Sequence, residues 1–431
     1  MEHEGQDEER QTGMTTLVWL KNDLRLIDSR SIAHALAERH RSEVVFVRPK
    51  DATPGHVPPT ARRVALEKAR MDEMRGVVET AGMRWIDASA STTIVPLAVS
   101  LGATTVVANT ETSEDIGFAS DRRVARELGA AGIRFAETPD SGIRRGRSRL
   151  VTPADFVTGA RDLPPLRFRE APEPLQALRA YLKRLPFAHY RRDMWLPGPD
   201  ARASSRLSVD LACGALSGDR VIHETRALMR DCDPRSMPAY RQFVSRLEWR
   251  RSFVQTLEDS VGSFPWAPVR EERPDDAATT WAWLDGETGY PLVDAAMRDL
   301  AANGWINFRL RQVLCSFAID LLDLDMHRVG VALGSLFDDY CPGIHWPQIG
   351  LQAGMARGRG PRVINPVKQA IELDPEGRYV RRMLPELAGV PDELVHEPWR
   401  HEGHAGPPRI IDHVTAARTA RLRHPAPIRH G

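Results

Sequence analysis

The side chains best suited to one-electron and phosphate chemistry gather in the second half of the chain. Trp249 stands beside Arg250 and Arg251, with Arg246 shortly before them. Trp305, Arg309 and Arg311 share the run Gly-Trp-Ile-Asn-Phe-Arg-Leu-Arg at 304–311, which also holds Phe308. Asp338, Asp339, Tyr340, Cys341 and Trp346 follow, and Trp266 lies in a Phe-Pro-Trp run. An indole is readily oxidised and can relay an electron hole, although core packing is the ordinary use of any one tryptophan. Ser204-Ser205-Arg206-Leu207-Ser208, preceded by Tyr190, offers hydroxyls and backbone N–H groups at a helix start. That chemistry suits a pyrophosphate; it equally suits a capped helix with no ligand. Arg357 and Arg359 punctuate a Gly-rich loop at 354–360. Its flexibility and charge suit phosphate contacts, as they suit a solvated surface.

The balance of 59 Lys plus Arg against 58 Asp plus Glu leaves a net charge of +1. Such a chain has no global attraction for nucleic acid, so any such surface is a local patch. Its 431 residues are long for one domain and comfortable for two, and a 42% hydrophobic content supports a sizeable core. Cys213, Cys232, Cys315 and Cys341 are scattered without a C-x-x-C pair. They imply a reducing compartment rather than a disulfide framework, and no metal site. No apolar run nears the roughly 20 residues of a membrane span. The acidic residues 1–12 lack a signal-peptide pattern. A cytoplasmic protein without membrane contact is expected.

Two periodicities divide the chain. Short apolar runs at 17–20, 44–47, 83–86, 105–108 and 133–135 alternate with amphipathic stretches at 31–39, 61–80 and 121–128. This alternation predicts an α/β domain over residues 15–140, a doubly wound parallel sheet with helices on both faces. No G-x-G-x-x-G follows the first strand, so a dinucleotide fingerprint is absent. A Gly-, Ser- and Arg-rich stretch opens a linker assigned to 141–173. From 174, apolar residues recur at three- and four-residue spacing, at 175–185, 208–216, 220–230, 239–257, 291–303 and 308–322. That predicts an all-α domain over 174–398. Residues 1–14 and the His-, Arg- and Pro-rich tail at 399–431 are expected to be poorly ordered.

Several runs, in this order, resemble the photolyase/cryptochrome family. Trp19-Leu20-Lys21-Asn22-Asp23-Leu24-Arg25, with Asp28, resembles its opening W-x-R/K-x-D-L-R-x-x-D. Its flavin-binding domain is resembled by four later runs. They are Thr288-Gly289-Tyr290-Pro291-Leu292-Val293-Asp294-Ala295-Ala296-Met297-Arg298, the run at 304–311, Asn365-Pro366 and Leu384-Pro385-Glu386-Leu387. The resemblance implies an α/β domain followed by an all-α FAD-binding domain, with one buried FAD. It places Tyr190, Ser204, Ser205, Arg206, Leu207 and Ser208 toward the flavin's phosphates and ribityl chain, with Arg250 approaching the phosphates. Trp305, Arg309 and Arg311 match the segment around the isoalloxazine, and Arg311 would pair with Asp338 or Asp339. Cys341, Pro342 or Gly343 falls nearest flavin N5. Trp249 matches the residue that stacks near a DNA lesion. Trp346 and Trp266 match the first and last members of a tryptophan relay, whose middle position falls near Asp325, where no Trp stands.

The activity this implies is that of a monomeric, blue-light-driven DNA photolyase, a carbon–carbon lyase acting on UV pyrimidine dimers. Its partner would be UV-damaged DNA with the lesion flipped from the duplex. Excited reduced flavin would donate the electron, and the protein would supply position and electrostatics. Arg246, Arg251, Phe308, Arg357 and Arg359, beside Arg241 and Arg362, are expected at the DNA-facing mouth. A second, antenna chromophore of unknown identity would lie between the domains. Two departures matter. Arg246 stands where thymine-dimer photolyases carry a Glu, and Phe308 where they carry a lesion-bonding Asn, with Asn307 beside it. The two-His arrangement of (6-4) photolyases is also missing. These changes favour the alternative, a cryptochrome-like blue-light photoreceptor without repair.

Overall fold

The computed structural model describes residues 14–37, 42–49, 57–140, 142–145, 173–185, 190–198, 204–260, 276–355, 363–403 and 406–423. Five strands, β1 (Met14–Trp19), β2 (Ser42–Pro49), β3 (Arg84–Ala88), β4 (Ala103–Asn109) and β5 (Arg134–Thr138), form one sheet ordered β3-β2-β1-β4-β5. Every neighbouring pair is parallel, with Leu17 beside both Val45 and Val106. The end of central β1, with Leu20 after it, reads as a continuous apolar run at 17–20 because both of its faces are covered. Leu17 and Trp19 join one apolar cluster, while Val18 and Leu20 join another. Helices α1 (Arg30–Ala37), α2 (Ala61–Thr80), α3 (Ile94–Ser100) and α4 (Asp115–Ala130) complete the domain. Thr60 starts α2 by accepting the Arg63 N–H on its side chain.

The second part is helical. It comprises α5 (Glu173–Arg184), α6 (Tyr190–Asp193), α7 (Ser208–Ala212), α8 (Gly218–Met229), α9 (Met237–Asp259), α10 (Asp276–Leu284) and α11 (Pro291–Asn303). Then follow α12 (Phe308–Ser316), α13 (Met326–Gly334), α14 (Pro342–Gln352), α15 (Pro366–Leu373), α16 (Arg378–Met383) and α17 (His413–Arg423). A π-helical turn at Phe317–Leu321 continues α12. The core is built on α11, whose Leu292, Val293, Ala296, Met297 and Leu300 are fully buried. The Thr-Gly-Tyr-Pro run before it is a capping device. Buried Asp294 accepts from Thr288 N at 2.9 Å, Thr288 Oγ1 at 2.5 Å and Gly289 N at 2.9 Å. Pro291 opens the helix where no N–H partner is needed, and Gly304 ends it in the left-handed conformation at φ 64°.

The expected tail needs correction. Residues 413–423 form α17, and Arg423 Nη2 reaches the Asp320 carbonyl at 2.6 Å. Tyr290 Oη donates to the Ile411 carbonyl at 2.8 Å. His and Arg richness misled because this helix docks through Ala416, Ala417 and Ala420, small residues that carry little hydrophobic signal. The linker residues 146–172 lie outside the described residues.

The two parts are clasped by the opening motif. Arg25, buried, binds Asp28 at 2.7 Å, Asp140 at 2.5 Å and the Gly214 carbonyl at 3.1 Å. Asp28 in turn accepts from Ser217 Oγ at 2.8 Å. Each buried charge is thereby paired and hydrogen-bonded, the condition under which burial is tolerated. Among the described residues no helix is long and apolar enough to cross a membrane.

One packing consequence is directly testable. A Cβ placed on Gly330 of α13 would lie 2.3 Å from Trp346 Cζ3. Trp346 is fully buried and cannot swing away. Gly330→Ala is expected to destabilise the fold by about 1–3 kcal/mol through overpacking. A lowered urea midpoint with an unchanged m-value is the result to look for.

Candidate functional site

The charge pair at the centre is Arg311 with Asp339. Arg311 Nη2 lies 3.0 and 2.8 Å from the two Asp339 oxygens, and Nε donates to the Ile306 carbonyl at 3.0 Å. The guanidinium also sits over Phe337, 4.1 Å from the ring centroid. α12 presents Arg311 because Asn307 caps that helix, accepting the Leu310 N–H at 3.0 Å. Asn307 is therefore committed. Its Nδ2 donates to Trp195 and Leu196 carbonyls, and it is only 4% exposed. It does not replace the missing lesion-bonding Asn at Phe308.

Asp338, the other candidate partner, faces the opposite way. It accepts from Thr60 Oγ1 at 2.5 Å and Arg62 Nε at 2.9 Å, both from the α/β domain. The place for Asp338 is the domain interface, not the Arg311 pair.

Beside that pair, Arg250 Nη2 on α9 donates to the Leu211 carbonyl at 3.0 Å and approaches Cys341 Sγ at 3.7 Å. Trp305 Nε1 donates to Ser208 Oγ at 3.0 Å. Arg206, exposed and at φ 56°, lays its guanidinium 3.7 Å from the Trp305 ring centroid. The Trp305 ring covers one face of this guanidinium, and that partial desolvation lowers its pKa. Ser204 and Ser205 turn their hydroxyls onto the N–H groups of Arg206 and Leu207. Leu207 is buried, and α7 behind it has only five residues. Loop donors rather than a helix dipole are on offer here. Arg309 lies 5.2 Å from the Trp195 ring centroid, with Nη1 on Gln312. Tyr190 belongs to the core rather than to this group. It is 7% exposed against Phe243, and burial pushes its phenol up to about 12.

These contacts join α7, α9, α12 and segment 338–341. Among the residues so joined, guanidinium groups outnumber carboxylates. Half-buried Trp305 and the Arg311–Asp339 pair supply flat and charged surfaces together. Such a donor set fits a flat, pyrophosphate-bearing ligand such as FAD.

The Trp346 environment differs from a bare relay. Trp346 Nε1 donates to Glu114 Oε1 at 2.9 Å and lies 3.0 Å from Tyr340 Oη. Tyr340 Oη also donates to Glu114. Burial, then the Glu114 carboxylate, hold this phenol well above its ordinary pKa. His327 stacks on Trp346 with centroids 5.4 Å apart. Asp325, at the position with no Trp, caps α13 by accepting the Arg328 N–H. Trp266 lies outside the described residues. Glu114 carries no local sequence signal, because its role depends on α14 arriving from the other domain.

On the outer side, Trp249 is 49% exposed and packs against Phe253 at 6.1 Å. Phe308, half-buried, packs on Trp195 at 6.1 Å. Arg246 is half-buried and Arg241 exposed. Arg251 is a correction. It is 3% exposed and paired with Asp219, so it does not face DNA. Burial works against its charge, and the Asp219 carboxylate beside it offsets that cost. On a helix, consecutive positions point about 100° apart, so Trp249 and Arg251 cannot share a face. Arg357, Arg359 and Arg362 lie outside the described residues.

Comparison with known proteins agrees with this architecture. Residues 16–145 match the DNA photolyase family model, and residues 239–425 match the FAD binding domain of DNA photolyase. A deoxyribodipyrimidine photo-lyase of Streptomyces griseus is 36% identical over 228 residues, 48% of each chain. A cryptochrome DASH of Gloeobacter violaceus is 44% identical over 209 residues, 46% of this chain and 40% of that one. These matches span about half the length of those relatives or less. A class III photolyase structure from Agrobacterium tumefaciens superposes with a TM-score of 0.77 at 22% identity, over 97% of this chain and 98% of that one. At that identity the likeness speaks for the fold alone. The chain belongs to the photolyase/cryptochrome family, and its helical part is a FAD-binding domain.

Proposed function

We propose that this chain is a FAD-dependent, blue-light-driven photolyase-like enzyme that splits UV pyrimidine dimers in DNA. The observation that carries the reading is the division of labour on α9. Trp249 is exposed as a stacking platform, while the next residue, Arg250, turns inward to α7 and Cys341. A lesion stacked on Trp249 would thus sit one residue from the cofactor's cradle. Arg250, Arg206, Arg311 and Trp305, with the Ser204–Ser208 loop, are the residues that would hold FAD. Bound FAD would supply light-driven one-electron chemistry. The chain's own part is to bind, orient and exclude water: Asp339 fixes Arg311, Ser208 fixes Trp305, and Glu114 fixes the Trp346 indole. A second chromophore remains part of the proposal, with no residues assigned to it.

Phe308 and Arg246 favour a second reading, a blue-light photoreceptor without repair. Phe308 offers a lesion no hydrogen bond, and Arg246 brings positive charge where an acid was expected.

The deciding assay gives the pre-reduced protein oligonucleotides bearing a cyclobutane dimer or a (6-4) product. Restored pyrimidines only under blue light support repair and name the lesion. Full FAD with neither lesion repaired overturns it in favour of the photoreceptor. Trp249→Ala is expected to weaken lesion binding by about 1–3 kcal/mol, the worth of one base–aromatic stack. FAD content should stay unchanged, since Trp249 is exposed and packs on Phe253, about 100° around α9 from Arg250. Unaltered lesion affinity in that variant would remove the stacking role.

A further inference from the structure

Segment 338–341 is gripped alternately from two sides. Asp338 accepts from Thr60 Oγ1 at 2.5 Å and Arg62 Nε at 2.9 Å. Tyr340 donates its hydroxyl to Glu114, and its carbonyl accepts from Arg63 Nη1 at 2.8 Å. All four partners come from the α/β domain. The intervening residues turn the other way: Asp339 to Arg311 on α12, and Cys341 toward Arg250 on α9. Arg62 makes a second grip with Nη1, at 3.2 Å from the Ala302 carbonyl, just before Gly304 and Trp305. Gly304 completes the arrangement. Its carbonyl accepts the Asp338 N–H at 2.9 Å, and a Cβ there would fall 2.1 Å from an Asp338 oxygen.

From this alternation we infer that Arg62 and Glu114 of the α/β domain are positioning residues of the flavin site in the helical domain. They fix the register of segment 338–341, and so hold Asp339 against Arg311 and Cys341 beside Arg250. The inference rests on the reading that Arg311 and Arg250 cradle FAD. Its physical basis is preorganisation. A carboxylate already held in place spends no further ordering entropy when the ligand arrives. Glu114 is the stronger of the two, because it is 1% exposed and receives both the Tyr340 hydroxyl and the Trp346 indole N–H. Arg62 is 46% exposed at its side chain, so its removal leaves the core intact. Coupling of this kind is reciprocal: what docking gives to FAD binding, FAD binding returns to docking.

The test compares wild type, Arg62→Ala, Glu114→Gln, the double variant and Arg311→Ala by FAD titration of the apoprotein. The visible circular dichroism of each FAD-saturated protein is recorded too. The double variant is expected to bind FAD roughly 5- to 50-fold more weakly, in the ordinary range of site-to-site coupling. Its saturated spectrum should change shape, and Arg62→Lys should recover part of the affinity. A purely structural role would lower thermal stability without altering the spectrum of the saturated protein. Loss of FAD in Arg311→Ala, with unchanged affinity and spectrum in the double variant, overturns the positioning role alone. Weakening in the double variant with full affinity in Arg311→Ala overturns the route through Asp339, and the flavin reading of Arg311 with it. Full affinity in both overturns both.

Discussion

Arg311→Ala is expected to purify with little or no FAD. The pair it breaks is enclosed: the Asp339 side chain is 3% exposed and that of Arg311 is 19%. Removing one partner strands the other charge, at a cost of about 3–5 kcal/mol. Part of that cost falls on the fold and part on the ligand. Even about 3 kcal/mol on the ligand is a loss of more than 100-fold in affinity. Asp339→Asn separates shape from charge. It keeps an acceptor for Arg311 Nη2 but loses the ion pair, so it should fall between wild type and Arg311→Ala. Flavin absorbance per mole of purified protein, beside far-ultraviolet circular dichroism, reads cofactor and fold separately. Stoichiometric FAD in Arg311→Ala would falsify the assignment of this pair to the flavin site.

The fold was legible where one local rule governs. The buried central strand announces itself by the apolar run at 17–20, and α11 by Pro291 at its start and Gly304 at its end. The Arg311 guanidinium was legible as well, but not which neighbouring Asp would meet it. Asp338 and Asp339 are chemically identical and adjacent, and only the approach of Thr60 and Arg62 from far earlier in the chain divides their roles. Arg251 failed for a similar reason. Its charge looked like a surface feature until α8 supplied Asp219 to take it inside. α17 was hidden by composition, because it docks by small residues and by Arg423 on a backbone carbonyl. Pairings between distant segments leave no period in the sequence. They account for most of what was missed, Glu114 above all.

Acidification from pH 6.5 to 4 is expected to set two buried groups against each other. Burial pushes the His345 imidazole down to about 4. It sits edge-on to Phe337, Tyr340 and Trp346, with Nε2 2.8 Å from the Gly330 carbonyl. Arg311 nearby adds to the depression, while Glu114 and Asp339 oppose it. The unfolded chain then takes up this proton first, so stability is lost as pH falls from about 6.5 to 4, by at most about 3 kcal/mol. Asp294 acts in the other direction. Burial raises it to about 6, against the hydrogen bonds from Thr288 and Gly289 and the charge of Arg298. The folded chain holds this proton more tightly, so its contribution is present at low pH and lost as pH rises from about 4 to 6. The magnitude is again about 3 kcal/mol. The two terms nearly cancel in the wild type, and single variants should unmask them. Relative to wild type, the unfolding free energy of Asp294→Asn should climb between pH 4 and 6, and that of His345→Gln should fall between pH 4 and 6.5. Both variants will be less stable at every pH, since each loses packing or hydrogen bonds, so the slope of the difference is the quantity to read. Urea unfolding at half-unit pH steps measures it. Difference curves parallel to the pH axis would mean that neither group carries its buried charge state into the folded protein.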